Sequence, residues 1–295
     1  MFCEVKFDSM NKLYTRAGIA LFALLFSQAA PLGLAWGPEG HHVTVILAER
    51  YMTPDTAARV KDLLGLESLL DASVWADNYR HDHPETGPWH YIDIPLRATT
   101  IDLRRDCPNG DCVLAKTEVF VSVLKDTQAD RTSKTEALKY VIHFVGDLHQ
   151  PLHDEDDNDK GGNTRLVQLG SHVPPPGLND NLHWLWDTGM IERINSNDQA
   201  LAEIIRREIT DADLAAWAKG DVEDWILEAH RLAQTVAYQG LGSANPAVIT
   251  PEYERQADQV IEIQLAKAGV RLAFLLNKAL HPAPAAMKTA LTEAN

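Results

Sequence analysis

The feature that most constrains the fold of this chain is the stretch HFVGDLHQPLHDE at residues 143–155, which contains three histidines and three carboxylates. The preceding EALKYVI has the apolar stripe of a helix, so the stretch begins where core residues are expected. Buried imidazoles and carboxylates cost free energy unless partners satisfy them. A solvated helix end would need no such partners. Half of a metal site would need ligands from other segments, which would have to converge on this helix end.

Helical patterns dominate the chain after Trp36. They cover GHHVTVILAERYM, TPDTAARVKDLLG, DASVWADNYR, VLAKTEVFVSVLKDT, SKTEALKYVIHFVGDLHQ, NDNLHWLWDTGMIERI, DQALAEIIRREI, VEDWILEAHRLAQTVAY and PEYERQADQVIEIQLAKAGVRLAFLLNKAL. Strand patterns are confined to short pieces such as WHYIDIP and TRLVQLG, and the Asp-, Gly- and Pro-rich residues 155–176 are predicted to form a long surface loop. No repeat or shift in composition marks a second domain. We therefore predict one all-α, mostly helical domain over residues 36–295.

The first 35 residues are predicted to be a signal peptide that is removed. The segment MNKLYTRAGIALFALLFSQAAPLGLA begins with basic residues, continues through an apolar run and ends on small residues at Gly33 and Ala35. The apolar run is too short to span a bilayer comfortably, which disfavours a retained anchor. We expect cleavage after Ala35, Trp36 as the new N-terminus, and an exported protein that is periplasmic or secreted.

Cysteine usage agrees with export. Cys107 and Cys112 flank a Pro-Asn-Gly turn in DCPNGDC, and such a pair can close a small disulfide in an oxidising compartment. A pair of zinc thiolates is the alternative, but no second cysteine pair lies nearby. No N-x-[ST] acceptor for glycosylation occurs in the chain, which favours a bacterial exported protein.

The net charge excludes one class of nucleic-acid-binding protein. At −15, it argues against a protein that binds nucleic acid through a broad basic surface. It does not exclude a substrate held by bound cations, because formal charge ignores metal ions.

Pairs of histidine and aspartate recur at helical spacing. His143 and Asp147 are four residues apart, so they share a helix face, and His183 and Asp187 repeat that spacing in NLHWLWD. His153 follows the first pair after Pro151 and a predicted helix end. A single pair of this kind is more often a surface hydrogen bond than a metal site, so it is their number that favours a metal site.

Further candidate ligands lie upstream. Asp77 and Arg80 are three residues apart in SVWADNYR, PWHYIDIP offers His90, and His41 lies close to the new α-amine of Trp36. Taken singly, Asp77 and His90 would be a helix-end charge and a strand histidine. Together these segments offer many imidazoles and carboxylates without thiolates, a set that suits catalytic rather than structural zinc and indicates a cluster of several ions.

Seven other histidines are not predicted to bind metal. By helical geometry His149 and His42 point away from the candidate ligands, and the remaining five lie in polar loops or far along the chain. The seven are His42, His81, His83, His149, His172, His230 and His281.

With these residues in view, the chain resembles the zinc-dependent single-strand-specific nucleases of the S1/P1 type. The resemblance runs from Trp36 almost to the end of the chain. It rests on the ordered motifs WG with GH three residues on, WADxxR, HYID, HFxGDxHQPLH followed by GGN, and DNLHxxWD. As an ordered set these motifs are highly specific.

The resemblance implies a mostly helical fold of the phospholipase C and nuclease type around three zinc ions. The first ion would take the amine and carbonyl of Trp36, His41 and Asp147. The second would take Asp77, His90, His143 and the bridging carboxylate of Asp147. The third would take His153, His183 and Asp187.

The resemblance also implies a reaction. A water bridging the close zinc pair would become the nucleophile, with Asp77 as its activator. Arg80 and the third zinc would stabilise charge on the phosphate and the departing 3′-oxygen. Tyr91 would stack on a base and Asp93 would hydrogen-bond its edge, although a core aromatic and a strand-end acid are the alternatives. The products would be 5′-phosphates, from single-stranded RNA, single-stranded DNA and 3′-nucleotides.

Two other functions compete with a nuclease. One is a zinc-dependent phospholipase C, which shares the fold; Asp187, where that family typically has Glu, and Arg80 follow the nuclease pattern instead. The other is a zinc-binding protein without catalysis, which would not need Asp77 together with Arg80. No stable protein partner and no membrane contact are implied, and we expect a monomer.

Overall fold

The computed structural model describes residues 36–172 and 180–280. The predicted signal peptide at 1–35 lies outside the described residues, as do His281 and residues 173–176 of the predicted loop. The prediction of a mostly helical domain is confirmed. None of the helices in these ranges combines the length and the apolarity needed to cross a membrane.

Helices of very different lengths follow one another along the chain. The α-helices are α1 (Pro38–Tyr51), α2 (Pro54–Leu64), α3 (Leu69–Ser73), α4 (Trp75–Tyr79), α5 (Leu103–Asp106), α6 (Val113–Lys125), α7 (Arg131–Asp147), α8 (Leu182–Trp184), α9 (Met190–Asn195), α10 (Asp198–Glu208), α11 (Asp211–Trp217), α12 (Val222–Leu232) and α13 (Pro251–Ala279). Short 3-10 helices lie at Pro84–His90, Pro108–Gly110 and Pro151–His153, and π-helical turns lie at Leu185–Gly189 and Ala233–Ala237. Strands β1 (Val167–Leu169) and β2 (Ala247–Ile249) pair in parallel.

Side-chain caps explain where two central helices begin. Asp130 accepts a hydrogen bond from the amide of Ser133 at the start of α7. Thr250 accepts one from the amide of Tyr253, and Pro251 opens α13. Each cap satisfies an amide that has no partner within its helix. α7 and α13 then pack against each other in the core.

The C-terminal half of α7 and the chain that follows it lie inside the protein. All residues from 140 to 155 are buried, and His143 and Asp147 are 0% exposed. A helix that is buried on every face has no solvated end. The possibility that residues 143–155 form a solvated helix end is therefore wrong, and their polar side chains need partners within the protein.

A glycine allows α1 to approach α13 closely. A Cβ atom at Gly269 would lie 2.5 Å from Cβ of Leu47 and 3.1 Å from the carbonyl oxygen of Thr44. Any side chain at Gly269 would therefore push α1 away from α13. Because α1 carries His41, this contact helps to position one candidate ligand.

The prediction of a strand in WHYIDIP is wrong. A 3-10 helix runs through Pro84–His90, residues 91–94 continue as irregular extended chain, and Pro95 forms an isolated bridge to Asp156. Pro84 and Pro88 lack the amide hydrogen that a strand ladder requires, which favours the turn. The strand predicted in TRLVQLG is confirmed as β1. Its partner β2 and helix α11 were not predicted.

Over its described residues, the segment 155–176 is not a loop throughout. It begins with the buried Glu155 and contains β1, which pairs with β2. The predicted disulfide between Cys107 and Cys112 is present.

Candidate metal centre

Buried histidine and aspartate side chains converge in three groups. Within each group the potential ligand atoms lie within 4.8 Å of one another. The groups are His41 with His143 and Asp147, Asp77 with His90 and His143, and His153 with His183 and Asp187. The first two share His143 and are called the paired groups; the last is called the third group. All the side-chain ligands expected from the sequence are in these groups.

Asp147 lies between the paired groups and turns one oxygen towards each. Its Oδ1 is 3.4 Å from Nε2 of His41, and its Oδ2 is 3.1 Å from Nδ1 of His90. His143, one helical turn earlier on α7, places Nε2 3.4 Å from the same Oδ2. A carboxylate in this position could bridge two cations.

Helix α4 brings Asp77 and Arg80 to the paired groups. Oδ1 of Asp77 lies 3.8 Å from Nδ1 of His90 and 3.7 Å from Nε2 of His143. Nη2 of Arg80 lies 3.4 Å from the same oxygen, as the spacing of three residues on one helix face predicts. A guanidinium therefore stands at the edge of the paired groups.

The third group is assembled from a 3-10 helix, the short helix α8 and the π-helical turn that follows it. Nε2 of His153 is 3.1 Å from Nε2 of His183, which in turn is 3.2 Å from Oδ2 of Asp187. The π-helical turn Leu185–Gly189 begins two residues after His183 and includes Asp187. Gln150 donates a hydrogen bond to the other oxygen of Asp187 at 2.5 Å.

Main-chain carbonyls define the tautomer of three of the imidazoles. Nδ1 of His143 lies 2.7 Å from the carbonyl oxygen of Ser73. Nδ1 of His153 lies 2.8 Å from the carbonyl oxygen of His90, and Nδ1 of His183 lies 2.6 Å from that of Gly161. A carbonyl oxygen only accepts, so each Nδ1 carries the hydrogen and each neutral ring has its lone pair on Nε2. Metal-binding histidines are commonly oriented in this way.

The consequence is clearest in the third group, where two lone pairs face each other across 3.1 Å between His153 and His183. Neither nitrogen can donate to the other, so the contact is repulsive until a cation lies between them. In the paired groups, buried Nε2 of His41 and Oδ1 of Asp77 and Asp147 have no hydrogen-bond partner among the described residues. Buried polar atoms without partners are rare, and bound ions are one cause. These residues therefore fit metal ions.

Burial sets the protonation of the groups. It lowers the pKa of His41 well below its usual range, and the neighbouring His143 lowers it further. Burial raises the pKa of Asp147 well above its usual range, and Asp77 adds to that effect. Burial likewise raises the pKa of Asp187, against the bond from Gln150. Neutral imidazoles are ready to bind a cation, whose charge would in turn favour the ionised carboxylates.

The start of α1 brings Trp36 and His41 to the same place. Trp36 is fully buried, and the amide of Gly37 donates to the carbonyl oxygen of Asp187 at 2.8 Å. A Cβ atom at Gly146 would lie 2.7 Å from Nδ1 of His41, so the absence of a side chain there lets α1 and α7 approach. The sequence motifs WG and HFxGD thus contain the glycines that this packing requires.

Tyr91 and Asp93 lie on the exposed side of the chain that follows His90. Tyr91 is 37% exposed and Asp93 is also exposed, although Ile92 between them is buried. The amide of Ile92 donates to the carbonyl oxygen of His153 at 2.8 Å, so this segment runs beside the third group. Tyr91 is therefore not a core aromatic, and Asp93 does not end a strand.

The described histidines that were not expected to bind metal lie outside the three groups. Two of them are buried and have other partners. His149 receives a hydrogen bond from Arg271, and the ring of His230 contacts the carbonyl oxygens of Asp154 and Ala98. His42 lies 2.6 Å from Asp198.

Sequence reasoning missed the groups that orient the ligands. The carbonyls of Ser73 and Gly161 have no side-chain signature, although Gly161 belongs to the GGN motif. Gln150 could have been found, because it lies in HQPLH between two candidate ligands.

Known proteins align with most of the length of this chain. The family model described as S1/P1 Nuclease matches residues 36–281. The chain is 31% identical to Nuclease S1 of Aspergillus oryzae, an alignment that covers 86% of this chain and 96% of that protein. It is 30% identical to Nuclease P1 of Penicillium citrinum, over 82% of this chain and 97% of the relative. It is also 30% identical to Endonuclease 1 of Arabidopsis thaliana, over 92% of this chain and 94% of the relative.

Proposed function

The chain belongs to the S1/P1 nuclease family, and we propose that it is a zinc-dependent endonuclease that hydrolyses phosphodiester bonds of single-stranded RNA and DNA. The observation that carries this proposal is the convergence of three buried histidine–aspartate groups, with lone pairs facing one another in the third. Imidazole nitrogens and carboxylate oxygens without thiolates are the donors typical of catalytic zinc.

We assign the ligands of three zinc ions to the three groups. One ion would take His41, Asp147 and the main-chain amine and carbonyl of Trp36. The next would take Asp77, His90, His143 and Asp147, since the two oxygens of Asp147 face the two groups. The last would take His153, His183 and Asp187.

The assignment of Trp36 requires processing of the chain. An α-amine can bind a metal ion, whereas the nitrogen of a peptide bond has no available lone pair. We therefore propose that residues 1–35 are a signal peptide, that residues 36–295 are the mature nuclease, and that the protein is exported. Whether it stays in a periplasm or leaves the cell does not change the chemistry.

The reaction forms a bond from a water oxygen to phosphorus and breaks the bond from phosphorus to the 3′-oxygen. Bound divalent ions would supply a water of lowered pKa and positive charge for the phosphate. Asp77 accepts a hydrogen bond from the attacking water and orients it. Arg80, 3.4 Å from Asp77, stabilises charge on the phosphate and the departing 3′-oxygen. The products are a 5′-phosphate and a free 3′-hydroxyl.

Tyr91 and Asp93 are proposed to bind the base next to the scissile phosphate. Exposed Tyr91 offers a ring face on which a base can stack, and Asp93 can accept hydrogen bonds from a base edge. Stacking of this kind requires an unpaired base, which accounts for a preference for single strands. A 3′-nucleotide is a phosphomonoester with the same base and the same bond from phosphorus to the 3′-oxygen, so we propose 3′-nucleotidase activity as well.

Parallel assays test this function against its competitors. The mature protein with zinc should cleave single-stranded DNA and RNA to 5′-phosphates, release phosphate from a 3′-mononucleotide and leave phosphatidylcholine intact. Cleavage of phosphatidylcholine alone would indicate a phospholipase C. Zinc binding without turnover on any of the substrates would indicate a zinc-binding protein.

A further inference from the structure

Gln150 occupies the point where the candidate metal groups meet. It is 0% exposed and caps the 3-10 helix that carries His153. Its main-chain nitrogen donates to the main-chain carbonyl oxygen of Asp147 at 2.9 Å, and its main-chain carbonyl oxygen accepts from the main-chain amide of His153 at 2.9 Å. The backbone of one residue is thus bonded to a ligand of the paired groups and to a ligand of the third.

The orientation of the Gln150 side chain is determined by its neighbours. Oε1 accepts a hydrogen bond from the amide of Leu152 at 2.6 Å, so this end must be the carbonyl. The other end, Nε2, therefore faces Oδ1 of Asp187 at 2.5 Å and must donate to it. A reversed amide would place two donors together at Leu152 and two acceptors together at Asp187.

This bond determines which oxygen of Asp187 is available. Oδ1 accepts from Gln150, whereas Oδ2 faces Nε2 of His183 at 3.2 Å. The backbone of Asp187 is held separately, because its carbonyl oxygen accepts from Gly37. Rotation of the carboxylate is the freedom that remains, and Gln150 restrains it.

We infer that Gln150 is a positioning residue for the third metal site: its amide holds Asp187 as a ligand through Oδ2 alone. This inference rests on the proposed function, since it takes the third group to be a metal site. Residues that orient a metal ligand typically affect affinity by about 10–100-fold when they are removed. Loss of the Gln150 amide should weaken the third site by that factor and leave the paired groups loaded.

Two substitutions distinguish the two hydrogen bonds of the Gln150 side chain, to Leu152 and to Asp187. Gln150→Met keeps the length of the side chain but removes both hydrogen bonds. Gln150→Glu can still accept from the amide of Leu152, while its second oxygen would meet Oδ1 of Asp187 without a donated hydrogen. If the bond to Asp187 is the one that matters, both variants should lose third-site affinity.

Gln264 provides a matched control. It is also a fully buried glutamine, and its Nε2 donates to the carbonyl oxygen of His149, one residue before Gln150. It belongs to none of the three groups. Gln264→Met therefore removes a buried hydrogen bond to the residue before Gln150 without touching a ligand. It should lower the melting temperature but keep all the zinc.

The experiment counts zinc per chain by native mass spectrometry while a competing chelator is titrated into the mature protein. Wild type and Gln264→Met should hold three ions, one for each group, whereas both Gln150 variants should release one ion at about 10–100-fold lower chelator concentration. Equal release from all four proteins would overturn the role of Gln150. A wild type without three ions would instead refute the proposed metal centre. If Gln150→Met does not fold, the Gln150→Glu measurement decides.

Discussion

The paired groups and the third group use similar ligands but are built differently. Three of the five ligands of the paired groups, His41, His143 and Asp147, come from the long helices α1 and α7 and are buried, whereas Asp77 and His90 come from the short α4 and a 3-10 helix. The third group takes its ligands from a three-residue 3-10 helix, the short α8 and a π-helical turn. Long helices fix the first ligands by packing, whereas short segments depend on individual hydrogen bonds.

The carboxylates show the same difference. Asp147 directs one oxygen towards His41 and the other towards His90, so one residue could serve two ions. Asp187 directs Oδ2 towards His183 in its group, whereas its Oδ1 accepts a hydrogen bond from Gln150. Loss of the Asp147 carboxylate should therefore release both ions of the paired groups, and the third ion should respond to changes independently.

Asp147→Ala gives the largest expected effect, because it removes the carboxylate that faces both paired groups. Turnover on single-stranded DNA should fall by roughly 10⁴-fold or more, the scale of disabling a catalytic unit. Metal analysis should find zinc only in the third group. The control is Asp198→Asn, which changes the partner of His42 beside His41 but touches no group, and it should keep all the zinc and the activity. A variant at Asp147 that retains the paired ions would contradict the bridging assignment.

An N-terminal extension should remove one of the two ions proposed for the paired groups and leave the other. A protein with a few residues ahead of Trp36 has a peptide nitrogen in place of the α-amine, so it should lose one zinc and most of its activity. The matched form begins at Trp36. Zinc content and turnover are measured for both. Equal zinc and equal turnover would show that Trp36 is a buried aromatic residue without a metal role.

Arg80→Ala should separate chemistry from metal binding. Arg80 is not a proposed ligand, so the zinc content should stay nearly unchanged. Turnover should fall by roughly 10²–10³-fold, the usual loss for one donor to a transition state. Arg255→Ala, an exposed arginine on α13, is the control for loss of a positive charge. Wild-type turnover in Arg80→Ala would show that Arg80 pairs with Asp77 without taking part in the chemistry.

Tyr91→Ala gives the smallest expected effect, since the substrate contact proposed for Tyr91 lies beyond the metal groups. Loss of one stacked base should cost about 1–3 kcal/mol of binding, seen as a higher KM with little change in kcat. Tyr91→Phe keeps the ring and should keep the KM. An unchanged KM for Tyr91→Ala would place the base elsewhere.

Much of the site could be predicted from the sequence because its ligands have helical spacing. His143 with Asp147 and His183 with Asp187 share a helix face by spacing alone, and the motif order identified the remaining ligands. The backbone around His90 was predicted wrongly, because alternation in WHYIDIP resembles a strand while two prolines impose a turn. The carbonyls that orient the imidazoles could not be predicted, since any residue type can supply a main-chain oxygen.

Metal content measured together with activity tests the central claim most directly. The mature protein beginning at Trp36 should contain three zinc ions, one for each buried group. Stepwise chelation should remove the third-group ion first, because its ligands lie on short segments, and the paired ions afterwards. Turnover on single-stranded DNA should be abolished once the paired ions leave and return when zinc is restored. A zinc-free preparation with full activity would contradict the metal centre proposed for these residues.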